Sequence, residues 1–206
     1  MELRRKMRVG PLLMAAGLLL VLCAAALAGY NLWDGARAGR EATRVLEQLP
    51  QALPDSETPE ETPEYLLNPQ MEMPLAWVDG YAYVGRLEIP DLGLTLPVMD
   101  EWTEAGAKIA PCRYAGSAYL DNLVIAGHNY SGHLQGVEKL EMGAEVRFSD
   151  LDGNLFSYAV TGIETLNPTQ VEEMVEKDGW DLTIFTCNYD GSVRLAVRCG
   201  RAEAVR

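Results

Sequence analysis

Positive charge is scarce in this sequence, and histidine is scarcer. Lys and Arg number 17 against 30 Asp and Glu, a formal net charge of −13 over 206 residues. A nucleic-acid partner needs Lys and Arg gathered into a patch or stripe, and none occurs. With two histidines in the chain, any imidazole chemistry must use His128 or His133. Residues 46–84 contain no Lys or Arg, and residues 11–28 contain no charge of either sign.

That uncharged run is dominated by Leu, Ala, Val and Met, and its length is close to the roughly 20 residues that span a bilayer. Arg4, Arg5, Lys6 and Arg8 precede it, so the positive-inside rule keeps residues 1–10 in the cytoplasm and exports the chain beyond about Tyr30. Ala26, Leu27 and Ala28 also match a signal-peptidase site. The run exceeds the usual ~7–15-residue signal core, and residues 36–49 continue it as a helical stalk. An uncleaved transmembrane helix over residues 11–30, single-pass in the cell membrane, is therefore expected. Cys23 has no lipobox before it and falls within this helix.

Residues 50–74 hold six of the eleven prolines and six acidic residues. Such a segment cannot bury enough apolar surface to fold. Residues 31–74 therefore read as a stalk and then an extended, self-repelling spacer. A single domain over residues 75–206 comes next, about 130 residues, enough for one buried core. Strands are expected at residues 81–90, 92–99, 122–126, 145–149 and 155–166, with turns at Pro90-Asp91 and across residues 150–154. Short helical pieces are expected at residues 171–176 and 134–140. Many short strands with little helix predict a closed or nearly closed β-barrel.

The chemistry concentrates in TIFTCNYDGSVR, residues 183–194. Residues 181–186 and 193–197 are both β-forming, and Asp190-Gly191 between them is a hairpin signal. A two-residue turn there sets Asn188 opposite Val193 and Cys187 opposite Arg194, with directly opposed Cβ atoms roughly 4.5–5.5 Å apart. Arg198 shares that face but falls opposite Thr183, about 13 Å further along at roughly 3.3 Å per residue. Arg194 is therefore the partner expected for Cys187. A fixed cation stabilises a thiolate nucleophile, and its rigid fork of donors suits a developing oxyanion. An edge hairpin with a half-buried, unreactive Cys would show the same pattern.

A base for Cys187 must be one of the two histidines. His128 comes after the apolar strand at residues 122–126 through Gly127, where a barrel strand reaches its rim. His133 lies in the exposed-looking loop NYSGHLQG. A Cys–His pair acts by thiolate attack on a carbonyl, with the imidazolium protonating the leaving amine. The chain order His, Cys, Arg differs from the Cys, His, Asn of papain-like enzymes, whose signature is absent.

AGHNY around His128, TIFTC ending at Cys187 and RLAV starting at Arg194 resemble the three signature blocks of the sortases, in order and spacing. Ile184 stands where Leu is usual in the TLxTC-type motif. GRLEIPDLGLTLPVM is similar to the family's opening strands, so the likeness covers roughly residues 81–201. It implies a closed eight-stranded β-barrel with short helices and a cysteine transpeptidase site built from His128, Cys187 and Arg194, with Thr186 helping to position the acyl carbonyl. It further implies cleavage of an LPxTG-like sorting signal through a thioester and transfer to an amino group of a cell-wall precursor or peptidoglycan stem peptide. The expected partners are surface proteins bearing that signal, with neither a metal nor an organic cofactor required. No second hydrophobic segment and no DPW- or DPF-like lid motif appear, against the pilus-polymerising type; RCGR near the end resembles class-B-like clostridial members, and a class-D-like member is the other possibility.

Several features read more plainly. DLDGN at residues 150–154 resembles the start of a calcium loop but lacks its later ligands and the downstream Glu, and a hairpin turn explains it. Cys112 and Cys199 would be able to pair in an oxidising compartment, though nothing in the sequence brings them together. The four tryptophans are dispersed and read as core or interface residues. Asn68-Pro69-Gln70 matches the beginning of an NPQTN-type signal, with Met71 in place of Thr; chance explains a tripeptide, and occlusion of the groove by the chain's own linker is the other reading. Two functions compete with the transpeptidase: a hydrolase using the same Cys-His-Arg site, and a non-catalytic surface binding barrel. Specificity is expected in the loops at residues 99–117 and 166–180.

Overall fold

The computed structural model describes residues 9–50, 62–176, 179–188 and 191–202. The basic flank at residues 1–8, most of the Pro/Glu-rich tract and Asp190 of the hairpin turn lie outside the described residues. Nine strands form the fold: β1 (Ala76–Val78), β2 (Tyr81–Ile89), β3 (Leu94–Met99), β4 (Cys112–Ala115), β5 (Leu123–Ala126), β6 (Glu145–Asp150), β7 (Leu155–Leu166), β8 (Leu182–Cys187) and β9 (Arg194–Arg201). Around the sheet they run β2, β3, β4, β5, β8, β9, β7, β6, and β6 pairs back onto β2, closing an eight-stranded barrel. β1 is a short ninth strand paired to β2.

The pattern of each strand reflects the layers that cover it. β6 and β7 as far as Val160 alternate buried and more exposed residues, as strands with one face in the core do. β5 is buried throughout and β8 nearly so, because alternate residues serve two layers. Leu123, Ile125, Leu182 and Ile184 face the barrel core, while Val124, Ala126 and Phe185 pack outside it with Leu166 and Met174. β5 and β8 are parallel, and parallel strands are ordinarily covered on both faces. Met174 comes from α3 (Val171–Val175), the short helix expected between β7 and β8.

The N-terminal helix α1 (Val9–Gln48) is unbroken over 40 residues, roughly 60 Å at 1.5 Å per residue. Its first half is exposed on all sides and is the one described helix long and apolar enough to cross a membrane. Its second half is docked. Gly35, Ala38, Ala42, Val45 and, just beyond its end, Leu49 are buried at helical spacing, the last two packing with Val78, Tyr83, Met99 and Cys112. The region expected to be a spacer also departs from that reading. α2 (Glu64–Leu67) carries Tyr65, which stacks on Tyr119 at 4.8 Å between centroids, and Met73 is 3% exposed in the main core. Apolar side chains at low density, spread among prolines, supply these contacts; average composition does not reveal them.

His133 is a second departure. The loop holding it is not open to solvent at that residue: the side chain is fully buried, and Nε2 lies 3.0 Å from the Ile109 carbonyl oxygen. Burial pulls the imidazole pKa down to about 4. Cys112 and Cys199 are free thiols, buried in separate clusters, with burial pushing them up to about 11 and about 12. Asp150 closes the β6–β7 turn as a plain hairpin residue, accepting from the backbone N–H groups of Asp152 and Asn154 and from the Tyr119 hydroxyl.

Two substitutions test this packing. Gly85 sits where β2 is flanked by both β3 and β6, and a Cβ there would lie 2.2 Å from the Ser149 carbonyl oxygen and 2.7 Å from the Phe148 ring. Gly85→Ala should cost about 1–3 kcal/mol by overpacking, read as a lower urea midpoint with unchanged m-value. His133, neutral in the fold, binds its proton more readily when unfolded, so its contribution is complete above about pH 6.5 and is lost as pH falls toward about 4. A loss of roughly 3 kcal/mol is expected across that window, and His133→Gln should flatten the slope of stability against pH there.

Candidate active site

Three strands deliver the candidate residues to one rim. β8 pairs with β9 in the register Cys187↔Arg194 and Thr183↔Arg198, as the hairpin spacing predicts, and Asn188 N–H donates to the Val193 carbonyl at 3.2 Å. On its other side β8 runs parallel to β5, with Ala126 level with Phe185 and Gly127 N–H donating to the Phe185 carbonyl at 3.1 Å. His128 lies two residues beyond Ala126, and Cys187 two beyond Phe185. Neighbouring strands are ~4.8 Å apart, so the imidazole and the thiol leave adjacent strand ends at the same level. Arg194 flanks the thiol from the opposite strand.

These residues line one cavity of about 290 Å³, together with Trp102, Glu104, Tyr114, Pro168, Val171, Met174, Phe185 and Thr186. Its walls are mostly apolar and aromatic. Tyr114 meets Phe185 edge-on at 5.1 Å, and Trp102 lies 6.0 Å from the His128 ring. The cavity draws on the two loops expected to carry specificity, at residues 99–117 and 166–180. Sequence patterning did not single out Trp102 or Glu104, because loop residues have no periodicity to mark which way they turn, nor Tyr114, which lies on the short strand β4 that the sequence does not mark. Residues 68–70 are not among those lining the cavity.

The polar groups of the site are left open. Thr186 is 2% exposed, yet its Oγ1 has no hydrogen-bond partner among the described residues, and neither does the buried Nε2 of His128. An unpaired buried hydroxyl costs about 1–3 kcal/mol, a cost that a bound acceptor would remove. Burial lowers the His128 pKa from its ordinary value; Glu104 and Asp34 oppose that shift and Lys108 adds to it. Cys187 is half-buried, and Arg194 donates from Nη1 to the Gly191 carbonyl at 3.2 Å. Among the described residues that is the one side-chain hydrogen bond of its five-donor guanidinium.

Arg198 is engaged elsewhere. It is 2% exposed, donates to Thr183 Oγ1 at 2.9 Å, to the Met174 and Glu173 carbonyls at 3.3 and 2.6 Å and to Glu164 at 2.5 Å, and lies 4.5 Å over the Trp180 ring. It thus ties the end of α3 to the barrel and fixes the wall on which Val171 and Met174 stand.

Comparison with known proteins agrees with the fold. A curated Sortase A of Bacillus anthracis is 27% identical over 185 residues, covering 82% of this chain and 84% of its own. Sortase C1 of Streptococcus suis superposes with a TM-score of 0.53 at 25% identity, over 60% of this chain and 74% of that one. Sortase C1 of GBS Pilus Island 1 gives 0.55 at 18% identity over 84% and 85%, and the Clostridium perfringens Sortase D5 transpeptidase 0.52 at 20% over 59% and 79%. The Sortase domain model matches residues 87–202, more than half of the chain and every strand from β3 to β9, and the chain belongs to the sortase family.

Proposed function

We propose that this chain is a membrane-anchored cysteine transpeptidase that cleaves an LPxTG-like sorting signal and joins the released carbonyl to an amine of the cell wall. The observation that carries the reading is the register of β8, which sets Cys187 level with His128 on one side and opposite Arg194 on the other. Cys187 passes its thiol proton to His128 and its Sγ attacks the scissile carbonyl, forming a C–S bond and a tetrahedral oxyanion. Arg194 donates to that oxyanion. As the C–N bond breaks, His128 gives its proton to the departing amine, leaving a thioester. An incoming primary amine then loses a proton to His128, forms the new amide and expels the Cys187 thiolate.

Thr186, whose buried hydroxyl at the cavity wall has no hydrogen-bond partner among the described residues, is the residue proposed to hold the acyl group. The apolar walls suit the Leu-Pro portion of such a signal. The unbroken α1 supports the anchor reading, with the N-terminus in the cytoplasm and the barrel outside. Because α1 and Met73 are packed into the fold, the full chain in detergent is the form to assay.

The test incubates the full chain with a library of LPxTG-like and NPQTN-like peptides and glycinamide, with products read by mass spectrometry. An amide of the amino-terminal peptide fragment is expected, abolished in Cys187→Ala. Arg194→Ala should lower kcat by about 10²–10³-fold, the usual effect of removing one oxyanion donor. Cleavage without amide would favour a hydrolase, and the absence of any Cys187 acyl adduct would favour a binding barrel.

A further inference from the structure

Helix α1 and the loop that carries His128 meet backbone to backbone. A Cβ on Gly132 would lie 2.4 Å from the Gly39 Cα and 2.6 Å from its nitrogen, and one on Gly39 would lie 3.1 Å from the Gly132 Cα. One turn earlier, a Cβ on Gly35 would lie 2.8 Å from Ser131 Oγ. Only residues without side chains allow this approach. The loop itself is a tight turn, with His133 N–H donating to the Tyr130 carbonyl at 2.9 Å, Gln135 N–H to the same oxygen at 3.2 Å, and Leu134 N–H to the His128 carbonyl at 3.4 Å.

Within that turn the Tyr130 ring stacks on the His128 imidazole, 5.0 Å between centroids at 30°, and meets the buried His133 ring at 5.5 Å. Asp34 of α1, held by Arg37 at 2.9 Å, is the charged neighbour of the Tyr130 phenol. A working imidazole is ordinarily oriented by a third group. Here Nε2 has no hydrogen-bond partner among the described residues, and the ring's aromatic contacts are Tyr130 and Trp102. The Tyr130 stack constrains the plane of the ring, and the helix backs the loop that carries it.

We propose that α1 is a positioning element of the active site and that Tyr130 is a positioning residue for His128, held by the packing of Gly35 and Gly39 against residues 131 and 132. This rests on the reading of His128 as the acid–base group. It makes the anchor and the catalytic loop one body: a displacement of the helix at the membrane face is felt at the imidazole.

The experiment uses the full chain in detergent, the sorting peptide selected by the library and glycinamide. Gly132→Ala adds a methyl against helix backbone, and Tyr130→Ala removes the stacking ring without touching the glycine contact. Both should lower kcat about 10–100-fold with KM within about 3-fold, the pattern of a lost transition-state interaction, and Tyr130→Phe should restore most of the loss. A second readout is the titration of the two histidines by NMR. The groups facing His128 are Asp34 from α1, Tyr130 and His133 from its own loop, Glu104 and Lys108 from the loop before β4, and Cys187 and Arg194 across the cavity. His128, lowered by burial in the native chain, should move up toward 6.5 in Gly132→Ala. Unchanged kcat and an unchanged His128 titration in folded Gly132→Ala and Tyr130→Ala would overturn the inference. If His128→Ala itself kept full turnover, the acid–base reading would be the one that fails.

Discussion

The barrel rim depends on β8 holding two registers at once. Parallel to β5 and antiparallel to β9, the strand is the only one in the described sheet whose end is level with both His128 and Arg194. A slip of one residue against either neighbour would turn Cys187 to the other face of the sheet and separate it from its partners. Register is held by burial on two sides. Ile184 and Leu182 sit in the barrel core and Phe185 in the outer layer, so a slip would exchange core and outer side chains along the whole strand.

A second constraint acts on the loops above that rim. Arg198, further along β9 from the site, places its guanidinium among Thr183, Glu164 and the last carbonyls of α3, and so fixes one wall of the cavity. On the opposite side α1 closes over the His128 loop through glycine-to-glycine contact. The cavity thus lies between two braced walls. On the proposed reading, such preorganisation would let donors and acceptors face a reacting group without reorganising when it arrives; among the described residues Thr186 Oγ1 and His128 Nε2 have no hydrogen-bond partner.

Much of this was legible in the chain because it is local. The pairing of Cys187 with Arg194, and the exclusion of Arg198, came from counting along a hairpin, and the apolar strand ending at Ala126 pointed to His128. β1 and β4 were not legible: each is short, and β4 is broken by a bulge between Arg113 and Ala115. The docking of α1 was hidden for another reason. Gly35, Ala38, Gly39 and Ala42 read the same in a free stalk as in a packed one, and the difference lies in the loop they meet. His133 looked exposed because its burial requires that distant packing. Trp102 and Glu104 reach the cavity through loop conformations that carry no periodic signal, and Tyr114 reaches it from the bulged strand β4.

The central claim is that Cys187, His128 and Arg194 act on one carbonyl, and the most direct measurement is a crystal structure of the full chain bearing a sorting-signal peptide whose scissile carbonyl is replaced by a ketone that traps the thiol. The account predicts a covalent bond to Cys187 Sγ, the former carbonyl oxygen within hydrogen-bond distance of the Arg194 guanidinium, and the His128 ring on the leaving-group side. An adduct whose oxygen points away from Arg194, or whose leaving-group side is remote from His128, would contradict it.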